Sequence, residues 1–166
     1  KKNVDILCSE SCESTMLNAY YAIYLDHPEL ISYQGASYRI KDDYITLTNN
    51  DNLGKLQTYF GTRRIEREME NIRKDTKNMS DKDKIIYVYN YVASHNYDQL
   101  FTYIKSNQSA YSFFTKGTSV CAGFAKASQI IFQNIGLNSY LVLGEDHSFY
   151  IIANSPVRFN ELSLLY

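Results

Sequence analysis

Cys121 is the residue of this chain best placed to act as a nucleophile. It follows the turn Lys116-Gly-Thr-Ser119 and opens an apolar segment that reads as a helix. The free amides and the dipole of a helix N-terminus favour negative charge. A thiol there gives up its proton more readily and becomes a better nucleophile. Ala122 and Gly123 are small, so a substrate can approach the sulfur closely. The backbone amide of Cys121 offers a donor to a developing oxyanion. Buried free cysteines are common and inert, so the thiol alone does not define a site. His147, 26 residues on, supplies the missing partner. It stands at the start of one expected strand, just after Gly144-Glu-Asp146 closes another. A cysteine on a helix against a sheet carrying a histidine is the arrangement of a thiol–imidazole pair. The other two histidines have plainer settings, His27 in a helix-ending turn beside Pro28 and His95 near a helix C-terminus.

An imidazole that takes a thiol proton works best when an acceptor holds its second nitrogen. No aspartate follows Asp146. Asn160 is the nearest substitute by position, after a turn at Asn154-Ser-Pro156, and a Cys-His-Asn set is chemically workable. If the last segment returns antiparallel to the His147 strand, the Asn160 oxygen is expected roughly 2.6–3.2 Å from the ring. Glu161, on the opposite face of such a strand, is the other candidate. An ordinary surface role for Asn160 is the alternative.

The elements that position these residues follow from periodicity. Glu13 to Leu25 reads as a helix ended at Asp26-His-Pro-Glu29, since Pro28 restricts the residue before it. The runs 36–40 and 44–48 flank polar Lys41-Asp-Asp43 and predict a hairpin. Leu53 to about Lys77 is helical, with Leu56, Phe60, Ile65, Met69 and Ile72 inward and Gly61 as a candidate interruption. The alternating charges from Arg63 to Lys84 read as a solvated helix face. Ser80, with Asp83 three residues on, starts a helix over 81–94 whose stripe is Ile85, Tyr89 and Val92. A tyrosine-rich connector over 99–109 leads to a short apolar piece, 110–114. The helix opened by Cys121 carries Ala125, Ile130, Ile131 and Ile135 and stops at Gly136. Segments 139–143 and 148–152 are expected strands, with a third over 157–165. Helices come first and strands last, so the class is α+β. The chain divides at about residue 78, an N-terminal helix, hairpin and long helix (1–78) packing on a core (79–166), together one compact unit.

Composition narrows the function classes. The 166 residues suit one domain, and 45% hydrophobic with 21% charged residues permits a packed core. Seventeen Lys and Arg against 18 Asp and Glu give a net charge of -1, which argues against nucleic-acid binding through a basic surface. No apolar run approaches the roughly 18 residues of a membrane span. Sixteen tyrosines and no tryptophan suit a binding face that is apolar with hydroxyls in water. Cys8 and Cys12 are close enough to bridge across a turn or to stay as free thiols. The histidines are scattered and no second Cys/His pair has ligand spacing, so a zinc site is not expected, and thiol–imidazole acyl transfer needs no metal or organic cofactor. No signal peptide is evident in the sequence.

The stretch Thr118-Ser-Val-Cys-Ala-Gly-Phe-Ala-Lys-Ala127, then Gly136-Leu137, Gly144 and His147, resembles the core of transglutaminase-like cysteine enzymes. Their pattern is V-C-x-G-[YF]-A-x-A, a helix, a G-[IL] step, a strand and a histidine. Bacterial members, secreted or attached to the surface, are the most similar. Asp26-His-Pro-Glu-Leu30, Met79 to Lys84, Tyr89-Asn-Tyr91 and Asn96-Tyr-Asp98 extend the likeness over about residues 16–153. The resemblance implies a papain-like core, with Cys121 as nucleophile and His147 as base. It implies acyl transfer or amide hydrolysis on a protein or peptide substrate, through a thioester, in a secreted or cell-surface protein. Two departures stand out. The family's His-Ala-Trp-Asn run reads His147-Ser-Phe-Tyr150 here, and its aspartate on the following strand is absent. A degenerate relative that only binds and a plain cysteine protease are the rival readings. A reactive Cys121 separates the first from an enzyme, and amine incorporation separates the second from a transferase.

Overall fold

The structure, a computed structural model, describes residues 3–8, 12–143 and 148–152. It opens with an antiparallel sheet of three strands, β1 (Asn3–Leu7), β2 (Tyr33–Lys41) and β3 (Tyr44–Asp51), in the order β1-β3-β2. Helix α1 (Cys12–Asp26) connects β1 to β2. The expected β2–β3 hairpin is present, with Lys41 paired to Tyr44 across a two-residue turn. Asp42 takes φ 52°, a left-handed conformation that Asp tolerates better than most residues. Strand β1 was not foreseen, and it corrects the order of helices first and strands last. Its pairing partner β3 lies some forty residues on, so nothing local announces it. Cys8 and Cys12 are joined in a disulfide that ties the end of β1 to the start of α1. The Cys8 amide also donates to the Asp43 carbonyl at 2.6 Å, anchoring this corner to the hairpin turn.

Helix α2 (Lys55–Thr76) runs through Gly61 without interruption. A Cβ at Gly61 would stand 2.6 Å from the Tyr111 ring and 2.9 Å from Ile31, so the missing side chain permits close packing. The buried face of α2 is Gly61, Ile65, Met69, Ile72 and Thr76. Leu56 and Phe60, expected inward, are 73% and 64% exposed. They sit in the first turns of α2, one position off the buried row. The charged face carries Arg63–Glu66, Arg64–Glu68 and Lys74–Glu70 pairs. Such exposed pairs contribute about 0.3–0.5 kcal/mol each, so the apolar row fixes the helix.

Helix α3 (Asp81–Ala93) starts at Ser80, as expected. The Ser80 hydroxyl accepts from the Asp83 amide at 3.2 Å and donates to the Asp83 carboxylate at 2.6 Å. Its fully buried residue is Val88, whereas Tyr89 is 66% exposed. The apolar piece after the connector forms helix α4 (Ala110–Lys116). Two short strands follow from neither periodicity nor turn signals. These are β4 (Asn96–Tyr97) and β5 (Thr118–Ser119), paired in parallel, and β5 replaces part of the expected turn before Cys121. Helix α5 (Cys121–Asn134) and the antiparallel strands β6 (Ser139–Leu143) and β7 (Ser148–Ile152) lie where the pattern puts them. The expected strand over 157–165 lies outside the described residues.

The class is α+β. Helix α5 packs on β6 and β7 and against α3 and α4. One apolar cluster joins Ile65, Met69 and Ile72 of α2 to Val88 of α3, Phe113 and Phe114 of α4 and Ile130, Ile131 and Phe132 of α5. The site-bearing helix is therefore held by the centre of the core along most of its length. Among the described residues, no helix is long and apolar enough to cross a membrane.

Candidate active site around Cys121

Cys121 is the first residue of α5 and is partly exposed. Val120 before it is extended and has no side-chain cap to offer, so the cap of α5 comes from elsewhere in the chain. The Cys121 amide donates to the Tyr97 hydroxyl at 3.3 Å. Tyr97 is brought there by β4, whose Asn96 and Tyr97 pair with Thr118 and Ser119 of β5 immediately before the cysteine. Around the pair, the Asn96 amide donates to the Gly117 carbonyl at 3.2 Å and the Asp98 amide to the Ser119 carbonyl at 2.8 Å. The Tyr97 ring leans on Phe124, with centroids 5.9 Å apart.

Behind the cysteine is a buried polar network. Asp98 accepts from the Leu100 and Phe101 amides, which turns the chain back. Its second oxygen accepts from Asn107 Nδ2 at 2.9 Å. The Asn107 carbonyl accepts from the Ser119 hydroxyl at 2.7 Å and from the Val120 amide at 3.4 Å. The Ser112 and Ser119 hydroxyls are 2.8 Å apart, and with one proton each they share three contacts, Ser112 donating either to the Ser109 carbonyl or to Ser119. Asn107, Ser112 and Ser119 are at most 2% exposed. A satisfied network in so dry a setting is rigid, because any broken link leaves a buried polar group unpaired. It fixes the segment that delivers Cys121 to the start of α5. Gly123 fits into this network by having no side chain. A Cβ there would overlap the Ser119 hydroxyl and lie 2.9 Å from both the Asn107 and the Ser109 carbonyl oxygens.

The sequence pattern placed Cys121 at a helix start, and the structure does so. It did not bring out Tyr97 or Asn107. The signal for the first was Asn96-Tyr-Asp98 directly after a helix, where Asp98 is well suited to an Asx turn. Nothing in the spacing marked the second, since its contacts join residues 9 to 12 positions apart through a short 3-10 turn over Lys105–Gln108. His147, Asn160 and Glu161 lie outside the described residues. The expected Asn160–His147 hydrogen bond lies outside them too. Ser148, the residue after His147, pairs with Leu143 at the end of the β6–β7 pair where the chain passes from one strand to the other, and β7 packs on α5. Among the described residues, no group of three His, Cys, Asp or Glu is placed to hold a metal ion.

On another part of α5 sits a lysine the pattern had treated only as part of a motif. Lys126 is 5% exposed. Its Nζ donates to the Tyr24 hydroxyl of α1 at 2.5 Å and lies 3.9 Å from the centroid of the same ring. Among the described residues, no carboxylate pairs with it. Burial pushes its ammonium down to about 8. The tyrosine is affected in the other direction, its phenol raised first by burial and then by Tyr33. Between about pH 8 and the unperturbed lysine value near 10.5, the unfolded chain holds a proton that the folded chain has lost, so stability rises with pH across that window. Below it the full cost of the buried charge applies, on the order of 3 kcal/mol. Lys126→Met is expected to raise stability at pH 7 by about 1–2 kcal/mol and to flatten this rise. Urea unfolding at pH 7 and pH 10 measures both effects.

No curated protein matches the chain. It is similar to a solved structure titled "Crystal structure of a TGase", at 16% identity and a TM-score of 0.48. The alignment covers 92% of this chain and 48% of that one, so the chain spans about half the length of that structure. A family model described as the transglutaminase-like superfamily matches residues 69–151, half of the chain. The matched stretch begins in α2 and runs through the Tyr97 strand and the Cys121 helix into β7, and the chain belongs to the transglutaminase-like superfamily.

Proposed function

We propose that the protein is a transglutaminase-like cysteine acyltransferase or amide hydrolase acting on protein or peptide amides. The observation that carries this reading is the position of Cys121, partly exposed at the first turn of α5 with its own amide turned toward a hydroxyl rather than into the helix. Ala122, the next residue, is small and half-buried. In the proposed reaction the Cys121 thiolate attacks the amide carbonyl carbon and forms a C–S bond. His147 takes the thiol proton and passes it to the departing amine as the C–N bond breaks. Asn160 holds the second ring nitrogen of His147. Water, or a second amine, then attacks the thioester and releases the thiol. No metal or organic cofactor enters this scheme.

The Cys8–Cys12 disulfide supports a secreted or surface location, where such bonds persist. The exposed aromatic residues Tyr97, at the cysteine, and Phe101 and Tyr103, in the segment that follows β4, support a polypeptide as substrate, since tyrosine faces bind extended chains through ring contact and hydroxyl hydrogen bonds.

Incorporation of a fluorescent primary amine into a glutamine-containing protein, with ammonia release measured in parallel, tests the proposal. Transfer is seen as label in the acceptor protein, and hydrolysis as ammonia without label. Both are expected to vanish in Cys121→Ala. Neither signal from the unmodified protein, together with retained binding of a polypeptide, would favour the binding-only reading.

A further inference from the structure

We infer that residues 99–104 form a specificity subsite of the Cys121 centre, where Leu100, Phe101 and Tyr103 seat one large apolar side chain of the substrate polypeptide, two to four residues from the amide that reacts. This rests on Cys121 being the acylated nucleophile and names the substrate class for it. Leu100 and Tyr103 are 79% and 77% exposed, and Phe101 is nearly half exposed. The Phe101 and Tyr103 rings meet edge to face, with centroids 6.5 Å apart. Residues 99–104 carry no charge. Single exposed apolar residues are ordinary, but three large ones within six positions, with exposed Tyr97 just before them, make a patch of the kind that marks a binding surface.

The segment is exposed and yet held. Its Leu100 and Phe101 amides both donate to the Asp98 carboxylate, at 3.2 and 3.0 Å. The Phe101 carbonyl accepts from Asn107 Nδ2 at 3.1 Å and from the Ile104 amide at 3.2 Å. The Thr102 carbonyl accepts from Gln108 Nε2 at 2.7 Å. Side chains presented by a backbone so tied lose little freedom when a partner covers them, and that saving lets an apolar contact count in binding. The occupant follows from where the loop is anchored. Asn107, which holds Phe101, also accepts the Val120 amide on its own carbonyl, one residue before the nucleophile. At the other end of the loop, Tyr97 reaches the Cys121 amide. The patch is therefore continuous with the place the reacting carbonyl takes, and a chain lying across Cys121 passes over it. Two to four residues of extended peptide cover roughly 7–13 Å at about 3.3 Å each, a span of the same order as the two hydrogen-bonded links from Val120 through Asn107 to Phe101. With no charge on the loop, the side chain that gains there is a large aliphatic or aromatic one, not an acid or a base.

The test uses synthetic peptides with glutamine at the centre, alanine and serine elsewhere, and one phenylalanine at each other position in turn. Binding to Cys121→Ala, read by fluorescence anisotropy, and ammonia release by the unmodified protein are measured for each. Phenylalanine two to four residues from the glutamine, on one side, is expected to improve Kd and kcat/KM roughly 5- to 20-fold over the peptide without it, with the gain in KM. Leu100→Ser combined with Tyr103→Ser changes two exposed side chains. It is expected to keep the thermal midpoint and to bring that ratio below about twofold, whereas Tyr89→Ser, at an exposed position of α3, keeps the ratio. A ratio near one at every position, or a preference that survives the double variant, overturns the inference. So does a dimer in size exclusion that the double variant splits, because a second copy would then cover the patch. Failure of the underlying reading is distinct: the unmodified protein then releases no ammonia from any peptide, while binding to Cys121→Ala still decides whether the patch prefers phenylalanine.

Discussion

Replacing Cys121 by alanine is expected to lower amide turnover by at least about 10³-fold, and replacing His147 by alanine to do nearly the same. The double variant is expected to be little worse than either. The reason is that nucleophile and base act as one unit: without the thiol there is nothing to deprotonate, and without the imidazole the thiol stays protonated and the amine cannot leave. Kinetics of ammonia release from a glutamine peptide at neutral pH measure all three variants. Losses that multiply would show two independent contributions and would break the pairing. Asn160→Ala belongs in the same series. It is expected to slow turnover more mildly, with the fold and the accessibility of Cys121 intact, because an orienting acceptor sets the ring's tautomer without touching the sulfur.

The largest structural effect is expected at Gly123. In Gly123→Ala the new methyl meets the Ser119 hydroxyl and the carbonyl oxygens of Asn107 and Ser109. The hydroxyl has nowhere to turn, since it is bound to Asn107 and Ser112 in a dry setting. The carbonyls belong to backbone that the same network holds. Overpacking costs about 1–3 kcal/mol, and an unsatisfied buried hydroxyl about 1–3 kcal/mol more. A total of about 2–6 kcal/mol is a large part of the stability of about 5–15 kcal/mol usual for a domain. Denaturant midpoints measure it. Ser119→Ala in the Gly123→Ala background should return part of the loss by removing the overlapped oxygen, and the carbonyl contacts should keep the rest. A Gly123→Ala protein as stable as the original would mean that the cysteine segment is not held as described.

Much of this scaffold was legible in the residues. Ser80 with Asp83, the apolar run from Cys121 to Ile135 and the short apolar runs of the last described strands are local signals, and α3, α5, β6 and β7 follow them closely. What escaped depends on residues far apart or on short pieces. Strand β1 exists through its pairing with β3, and β4 through a two-residue parallel pairing with β5 more than twenty positions on. The apolar run Ala110-Tyr-Ser-Phe-Phe114 fits a strand or a buried helix equally, and packing on α5 and α2 decides for α4. The inward faces of α2 and α3 were each misread at one edge, at Leu56 and Phe60 and at Tyr89. Large apolar and aromatic residues flank the buried rows there, and hydrophobicity alone does not distinguish a row from its border. The site divides in the same way. Cys121 could be read from its helix start, while Tyr97 came to the cysteine only through the β4–β5 pairing.

The central claim is that Cys121 forms a thioester with a substrate acyl group. Intact mass measured within seconds of mixing the protein with a glutamine peptide or an activated ester, followed by fragmentation to locate the adduct, tests it most directly. The account predicts one acyl group on Cys121, lost on adding a primary amine or on standing in water, and absent from Cys121→Ala. An adduct on another residue, or no adduct on Cys121 with either reagent, would contradict it.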